Sequence, residues 1–281
     1  MNARVNQMGK INFPDGSVVA VDDRVAELVQ ELLDMQSPVE DGVMDFIQRF
    51  KEMYLSYDLV RIGGDGDGGY LLPNILDQIS YCFSPGVSNI ANFEQELATN
   101  YSITSFMADA SVTKPPTNNA LFNFIPKFLG SRSRENYITL SDWINDKIGY
   151  DENRKILQMD IEGGEYDVLC YEDAVVFNSF DILIIEFHWL DKMFKPMFLK
   201  MLSAIFEKLY ANFSICHAHP NNCCGIVKYK NIRIPRVLEV TFINNRCAPL
   251  QKDTPISLPH ILDRPNVQTN PDISMPELWW K

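Results

Sequence analysis

From residue 79 to residue 210 the chain repeats one pattern, a short apolar run followed by an amphipathic stretch long enough for a helix. ISYCFS (79–84), SITSFMA (102–108), ALFNFIPKFLG (120–130), KILQMDI (155–161) and DILIIEF (181–187) read as strands. NIANFEQELATN, TLSDWINDKI with Thr139 as its cap, EYDVLCYEDAVVFNSF and KPMFLKMLSAIFEKLYAN read as helices. Such alternation predicts a mostly parallel sheet with helices on both faces, an α/β fold. The pattern then changes: NFSICHAH, GIVKYK and RVLEVTFIN are strands with no helix between them. They predict an antiparallel edge.

Two helical patterns precede this region. RVAELVQELLDM (24–35) and VEDGVMDFIQRFKEMYL (39–55) carry apolar residues at three- and four-residue intervals, with a break at Ser37-Pro38 between them. Residues 1–56 therefore read as an N-terminal helical appendage, of a kind that caps an active site or pairs subunits in a homodimer; the oligomeric state stays open. Residues 57–250 form the α/β domain. Residues 251–281 are proline-rich and predict an extended tail over the surface, with Trp279 and Trp280 as pins.

Charge narrows the partners. The chain carries 25 basic and 37 acidic residues, a net charge of −12, whereas nucleic acid and anionic membrane both call for a basic surface. A small molecule or a glycan fits better as acceptor. No 18-residue apolar run occurs, FDILIIEFHWL being interrupted by Glu186 and His188, and MNARVNQMGKINFPDG lacks an apolar signal core, so a cytoplasmic protein without a membrane span is expected. The six cysteines are irregularly spaced without a C-x-x-C pair, which fits mostly buried reduced thiols and no zinc site of standard cysteine spacing. The sequons at Asn100 and Asn212 then lack a secretory context.

LVRIGGDGDGGYLL (59–72) holds five glycines between Gly63 and Gly69. A phosphate loop would need lysine and Ser or Thr after its last glycine, and a dinucleotide fingerprint would have to open a helix, yet YLLPN follows. A calcium loop starting at Asp65 would need glutamate where Leu76 stands. Apolar flanks around residues that tolerate positive φ instead describe a β-hairpin.

In a doubly wound sheet the ligand lies at the carboxyl ends of the strands, so residues at strand ends carry the chemistry. Ser84-Pro85-Gly86 makes a tight turn, and the helix beginning near Asn89 turns its N–H groups to the cleft. Asp109 ends the next strand, 23 residues beyond Gly86, where an acid is placed for ribose hydroxyls. Asp160, Glu162 and Glu165 put three carboxylates within six residues at a third strand end, a grouping that faces a cation, a cationic ligand or a polar cleft. Glu165 also reads as an ordinary first-turn acid. Glu186 and His188 share a face at period two, as do His217 and His219 in CHAHPNN, where metal binding, substrate contact and a hydrogen-bonded loop remain open.

LQMDIEGGEYDVL resembles the D-x-E-G-x-E signature of the FkbM-type S-adenosylmethionine-dependent methyltransferases. VRIGGDGDGGYLL, IIEFHW, HPNN, IPRVLEVTFIN and LPHILDRPNVQTNPDI are similar to segments that this family and its methyltransferase-like relatives carry in the same order, over roughly residues 57–275. The resemblance implies a Rossmann-like, doubly wound seven-stranded domain, S-adenosylmethionine as cofactor, and O-methylation of a hydroxyl on a sugar or secondary metabolite. It places Ser84, Gly86, Glu94 and Asp109 at the cofactor, and Asp160 and Glu162 at its sulfonium end or at the substrate. The first-strand loop SPGVSN departs from the fuller acidic G-x-G turn of many methyltransferases.

Methyl transfer to an alcohol is an in-line displacement that asks for alignment and removal of the hydroxyl proton. His188 or Glu186 is the expected general base, with Asp160 and Glu162 positioning substrate or a divalent ion. Asp160, Glu162 and Glu186 form an oxygen-rich set that suits magnesium or calcium. Two rivals stand beside this reading: a non-catalytic carbohydrate- or partner-binding protein on the same fold, and a nicotinamide-dependent oxidoreductase, which the missing G-x-G-x-x-G disfavours.

Overall fold

A computed structural model describes residues 4–6, 10–12, 18–20, 39–149, 151–250 and 254–281. The chain divides into two compact units, residues 1–46 with 192–204, and residues 47–191 with 205–281. The first contains a three-stranded antiparallel meander, Arg4–Asn6, Lys10–Asn12 and Val18–Ala20, in which Arg4 faces Asn12 and Lys10 faces Ala20. The helix expected over 24–35 lies outside the described residues. The second expected helix is α1, Glu40–Glu52, with Glu40 and Asp41 in its first turn and Arg49 and Lys51 in its last, the arrangement the helix dipole favours.

The larger unit is built on a seven-stranded sheet. Its strands are β1 (Tyr81–Pro85), β2 (Thr104–Ala108), β3 (Phe122–Ile125), β4 (Lys155–Met159), β5 (Ile182–Phe187), β6 (Phe213–Pro220) and β7 (Leu238–Asn244). Their order is β6-β7-β5-β4-β1-β2-β3, so the sequence direction reverses between β1 and β4. The expected antiparallel pairing at the edge is present: β7, one place in, runs antiparallel to β5 on one side and to the edge strand β6 on the other, so β6 itself is parallel to the rest. GIVKYK is not in this sheet; Ile226–Tyr229 pairs with Ile232–Pro235 as a separate hairpin. The predicted strand over 120–130 is broken at Pro126, whose missing N–H cannot continue a ladder: β3 stops at Ile125, and Phe128–Leu129 pairs instead with Tyr137–Ile138.

Among the described residues, five further helices complete the layers: α2 (Asn92–Tyr101), α3 (Leu140–Lys147), α4 (Glu165–Tyr171), α5 (Ala174–Asn178) and α6 (Pro196–Tyr210). Thr139 caps α3 as its sequence predicts, its hydroxyl accepting from Asp142 N at 3.1 Å. Every residue of β4 and β5 is buried, as strands covered on both faces require. Period-two alternation divides their side chains. Cys82, Ile156, Ile182 and Ile243 lie in register and pack with Phe93 and Leu97 of α2 and with Tyr70 and Leu72 of the hairpin. On the other face, Phe83 meets Trp143 edge-on with centroids 5.1 Å apart, and Phe180 at 5.9 Å. Phe206 of α6 packs against Phe187, the ring centroids 4.8 Å apart and the planes tilted by 38°.

The glycine-rich stretch is a hairpin, Leu59–Ile62 against Tyr70–Pro73, with Ile62 opposite Tyr70. Arg61 Nε donates to Gly64 O at 2.6 Å and Gly63 N donates to Glu96 at 2.9 Å, so the loop is tied both to itself and to α2. The C-terminal segment holds turns and a short 3-10 helix, Glu277–Trp279. Trp279 is fully buried, donates to Arg233 O at 3.0 Å and meets Phe50 edge-on at 5.2 Å; Trp280 is half-buried and donates to Met275 O at 3.3 Å. The cysteine expectation is half met: Cys82, Cys216 and Cys247 are buried, whereas Cys170, Cys223 and Cys224 are exposed, and all six are free thiols.

Candidate active site

The sheet register gathers the ionisable groups into one row. Glu186 on β5 is opposite Glu239 on β7, which is opposite His219 on β6. Asp160 follows Met159, the partner of Ile185, and so continues the row on the other side of Glu186. Gly86 and Asp109 follow the paired residues Pro85 and Ala108. All stand at the carboxyl ends of parallel strands or beside them, where an open α/β sheet holds its ligand.

A cleft of about 630 Å³ opens there, within the range of small-molecule sites. Gly86, Glu94, Asp109, Asp160 and Glu162 line it, with Asp67 and Tyr70 of the glycine hairpin on one side. Gly86 is the tight point. It has φ +90°, its N–H donates to Ala108 O at 3.0 Å, and a Cβ there would lie 1.8 Å from Asp160 O. Only glycine lets the β1 turn lie against the end of β4.

Asp109 is buried, yet each of its carboxylate oxygens accepts a backbone N–H, from Ser88 at 2.8 Å and from Ser111 at 2.7 Å. These bonds fix its orientation and leave one lone pair on each oxygen. Ser84 does not line the cleft. Its buried hydroxyl lies between Glu94 Oε1 and Gln158 Oε1, the latter at 2.7 Å. One hydroxyl proton cannot serve two acceptors. Burial raises the Glu94 pKa and the Ser84 hydroxyl, donating to Glu94, restrains the rise, while Gln158 Nε2 donates to the Tyr70 hydroxyl at 3.1 Å.

The other candidates meet behind the loop between β4 and α4. His188 Nδ1 lies 3.3 Å from Glu165 Oε1, which also accepts from His188 N at 2.9 Å, while Glu165 Oε2 accepts from Gly163 N at 2.8 Å. Glu165 is therefore more than a first-turn acid; fully buried, it holds the imidazole. His188 Nε2 is left toward the acids, 3.3 Å from Glu162 and 3.9 Å from Asp160 Oδ1. Burial alone would lower the His188 pKa, but the hydrogen bond and charge of Glu165, with Asp160 and Glu162, raise it overall. Burial pushes Asp160 up to about 6, and Glu186 and His188 restrain the rise. Burial and the charges of Asp160 and Glu239 drive Glu186 well above the carboxylate range, so Glu186 is the protonated member that hydrogen-bonds to Asp160. Asp160 Oδ1 is buried without a hydrogen-bond partner.

Of the four acid-base candidates, Asp160 and Glu162 line the cleft, and Glu186 and His188 stand behind them. Asp160, Glu186 and His188 each offer a ligand atom within 4.8 Å of the others. That set contains an imidazole in place of Glu162, a mixed nitrogen and oxygen donor set that is less suited to magnesium or calcium than oxygen alone. His217 and His219 meet Asp263 at the far end of the row, away from the cleft. Sequence reasoning passed over Gln158 and Tyr70, and weighed Asp67 only as a ligand in a calcium loop. For Gln158 a signal existed, a polar residue two positions before Asp160 in an apolar strand; Tyr70 and Asp67 reach the cleft only because the hairpin folds onto α2.

No curated protein matches the chain. The family model described as the methyltransferase FkbM domain matches residues 82–213, from β1 to the start of β6. The eight candidate residues Ser84, Gly86, Glu94, Asp109, Asp160, Glu162, Glu186 and His188 fall inside the match, while the glycine hairpin, β7 and the C-terminal segment fall outside it. Residues 82–213, just under half of the chain, are thus similar to the methyltransferase FkbM domain.

Proposed function

We propose that the chain is an S-adenosylmethionine-dependent methyltransferase with a Rossmann-like fold that methylates a hydroxyl on a sugar or secondary metabolite. The observation that carries this reading is the position of the cleft: it lies in the matched domain, at the carboxyl ends of β1, β2 and β4, where the strand order reverses. The lining residues fit the cofactor. Asp109 keeps a free lone pair on each oxygen for ribose hydroxyls, Gly86 allows close approach of backbone, and Asp67, Asp160 and Glu162 give the cleft an acidic wall suited to a sulfonium cation. When bound, S-adenosylmethionine supplies an electrophilic methyl group.

The chain's own part is to align the acceptor and take its proton. Asp160 is the best-placed base, because its carboxyl borders the cleft, its side chain is 24% exposed, and it is ionised above about pH 6. Glu186, protonated, holds the Asp160 carboxylate by donating to it. His188 Nε2, 3.9 Å from Asp160 Oδ1, stabilises the carboxylate electrostatically, and Glu165 fixes the imidazole. Glu162, on the exposed lip, is available to the acceptor.

Calorimetric titration with S-adenosylmethionine, with NAD as control, tests the reading on the wild type and on Asp109→Ala. Binding of S-adenosylmethionine alone, weakened by more than about 1 kcal/mol in the variant, supports it and leads to a screen of sugar acceptors. A folded protein that ignores S-adenosylmethionine overturns it in favour of a binding protein on the same fold.

A further inference from the structure

Beyond the cleft, the edge of the sheet carries a second cluster that methyl transfer does not use. A register shift between Ile215 and His217 interrupts the β6–β7 ladder, the kind of bulge that re-aims the side chains after it. His217 and His219 follow on one face, and the C-terminal segment brings Asp263 over them. Their side chains are 4%, 5% and 3% exposed. Asp263 Oδ1 lies 2.8 Å from His217 Nε2 and 3.6 Å from His219 Nδ1. Close as they are, His217 Nε2 and Asp263 Oδ1 are buried atoms without a hydrogen-bond partner, so the ring N–H does not point along this approach.

Asp263 Oδ2 accepts from His260 N at 2.7 Å, and His219 Nε2, a buried atom without a hydrogen-bond partner, faces Asp272 Oδ1 at 3.4 Å. One donor atom of each residue lies within 4.8 Å of the other two, and the 2.8 and 3.6 Å separations from Asp263 Oδ1 bracket the roughly 3.4 Å between ligands held tetrahedrally at about 2.0–2.2 Å from one ion. Asp272 stands behind His219, the place from which a carboxylate orients a ligating imidazole. Leaving His217 Nε2, His219 Nε2 and Asp263 Oδ1 buried without hydrogen bonds costs free energy that a bound cation recovers.

We propose that His217, His219 and Asp263 bind a divalent transition-metal ion, Zn²⁺ in preference to magnesium or calcium, which clamps the segment around Asp263 onto β6. Two imidazoles and one carboxylate form a donor set suited to zinc. The role is structural, because none of the three lines the cleft. All three lie outside the matched domain, and the inference does not rest on the methyltransferase reading.

The test uses the full chain carrying Cys223→Ser and Cys224→Ser, which removes the exposed vicinal thiols as competing ligands. After dialysis against chelator, zinc sulfate is added; bound zinc per chain is measured by mass spectrometry and affinity by competition with a chromophoric chelator. The expected result is one zinc per chain, retained in His188→Ala, with affinity at least 100-fold lower in His217→Ala and in Asp263→Asn. Zinc should also raise the thermal midpoint of the parent and not of these two variants. Should either variant fail to fold, cobalt(II) is added to the parent and to His217→Cys, where a thiolate-to-cobalt charge-transfer band present only in the variant supports the site. A folded parent that takes up no zinc, zinc lost in His188→Ala but kept in His217→Ala, or no new band in His217→Cys would each overturn the proposal.

Discussion

Replacing Gly86 by alanine separates steric from conformational cost. The new Cβ would stand 1.8 Å from Asp160 O, and real Cβ contacts essentially never fall below 3.0 Å, so the β1 turn and the end of β4 must part by about 1.2 Å. Gly86 N is bonded to Ala108 O on the other side, so the turn cannot simply slide toward β2. Strain at positive φ costs about 1–3 kcal/mol, and overpacking a filled site a further 1–3 kcal/mol or so. Gly64 is the matched control: its φ is +92° against +90° at Gly86, and nothing lies within 4 Å of its Cβ position. Gly64→Ala should therefore lose only the strain part, and Gly86→Ala should be less stable than it by about 1–3 kcal/mol. Urea unfolding of both variants measures the difference. The displacement falls between Asp109 and Asp160, so Gly86→Ala should also weaken S-adenosylmethionine binding at least tenfold while Gly64→Ala changes it little. Equal stability losses and equal affinities in the two variants would refute the packing argument.

Four further outcomes are expected. Methylation by the wild type should rise with pH through about 6 as Asp160 loses its proton, and Asp160→Asn should abolish that limb of the rate profile; a profile unchanged in the variant would remove Asp160 from the role of base. Glu239 is pushed up to about 8 by burial, above its ordinary 4.5. The folded state then holds a proton that the unfolded state releases, so the contribution of Glu239 is full below about pH 4.5 and is lost as pH rises to 8, at about 1.4 kcal/mol per unit. Glu239→Gln should flatten this part of the stability curve, and parallel curves from urea melts at pH 5 to 8 would contradict it. Ser84→Ala strands Glu94 and Gln158 in a buried site and should cost about 1–3 kcal/mol of stability, read by denaturant midpoint. Trp279→Ala removes a fully buried indole and its bond to Arg233 O and should cost about 3–5 kcal/mol; a thermal midpoint close to that of the wild type would show that the C-terminal segment is not anchored there.

Much of the α/β architecture was legible because its signals are local. Apolar runs of strand length, the cap at Thr139 and the alternation with helices are each decided by neighbours in the chain, and they recur at Tyr81–Pro85, Leu140–Lys147 and Ile182–Phe187. Strand-end acids were legible for a related reason: a carboxylate closing an apolar run needs a polar environment, and Asp109, Asp160 and Glu162 border the cleft. Strand order was not legible. That β7 inserts between β5 and β6 depends on which partners its backbone finds, and nothing in RVLEVTFIN distinguishes an edge from an interior position. Proton placement also belongs to the tertiary structure. Asp160, Glu186 and Glu239 are separate in sequence, and only the register that sets them side by side away from water makes them compete for charge. By itself the sequence determined the strands, the helices and the acids that end the strands, because these follow from local periodicity and polarity. The tertiary structure alone decided that Glu165 holds His188, that Ser84 sits beneath the cleft rather than in it, and that Asp263 returns from the far end of the chain to His217, because each depends on burial and on contacts between residues remote in sequence.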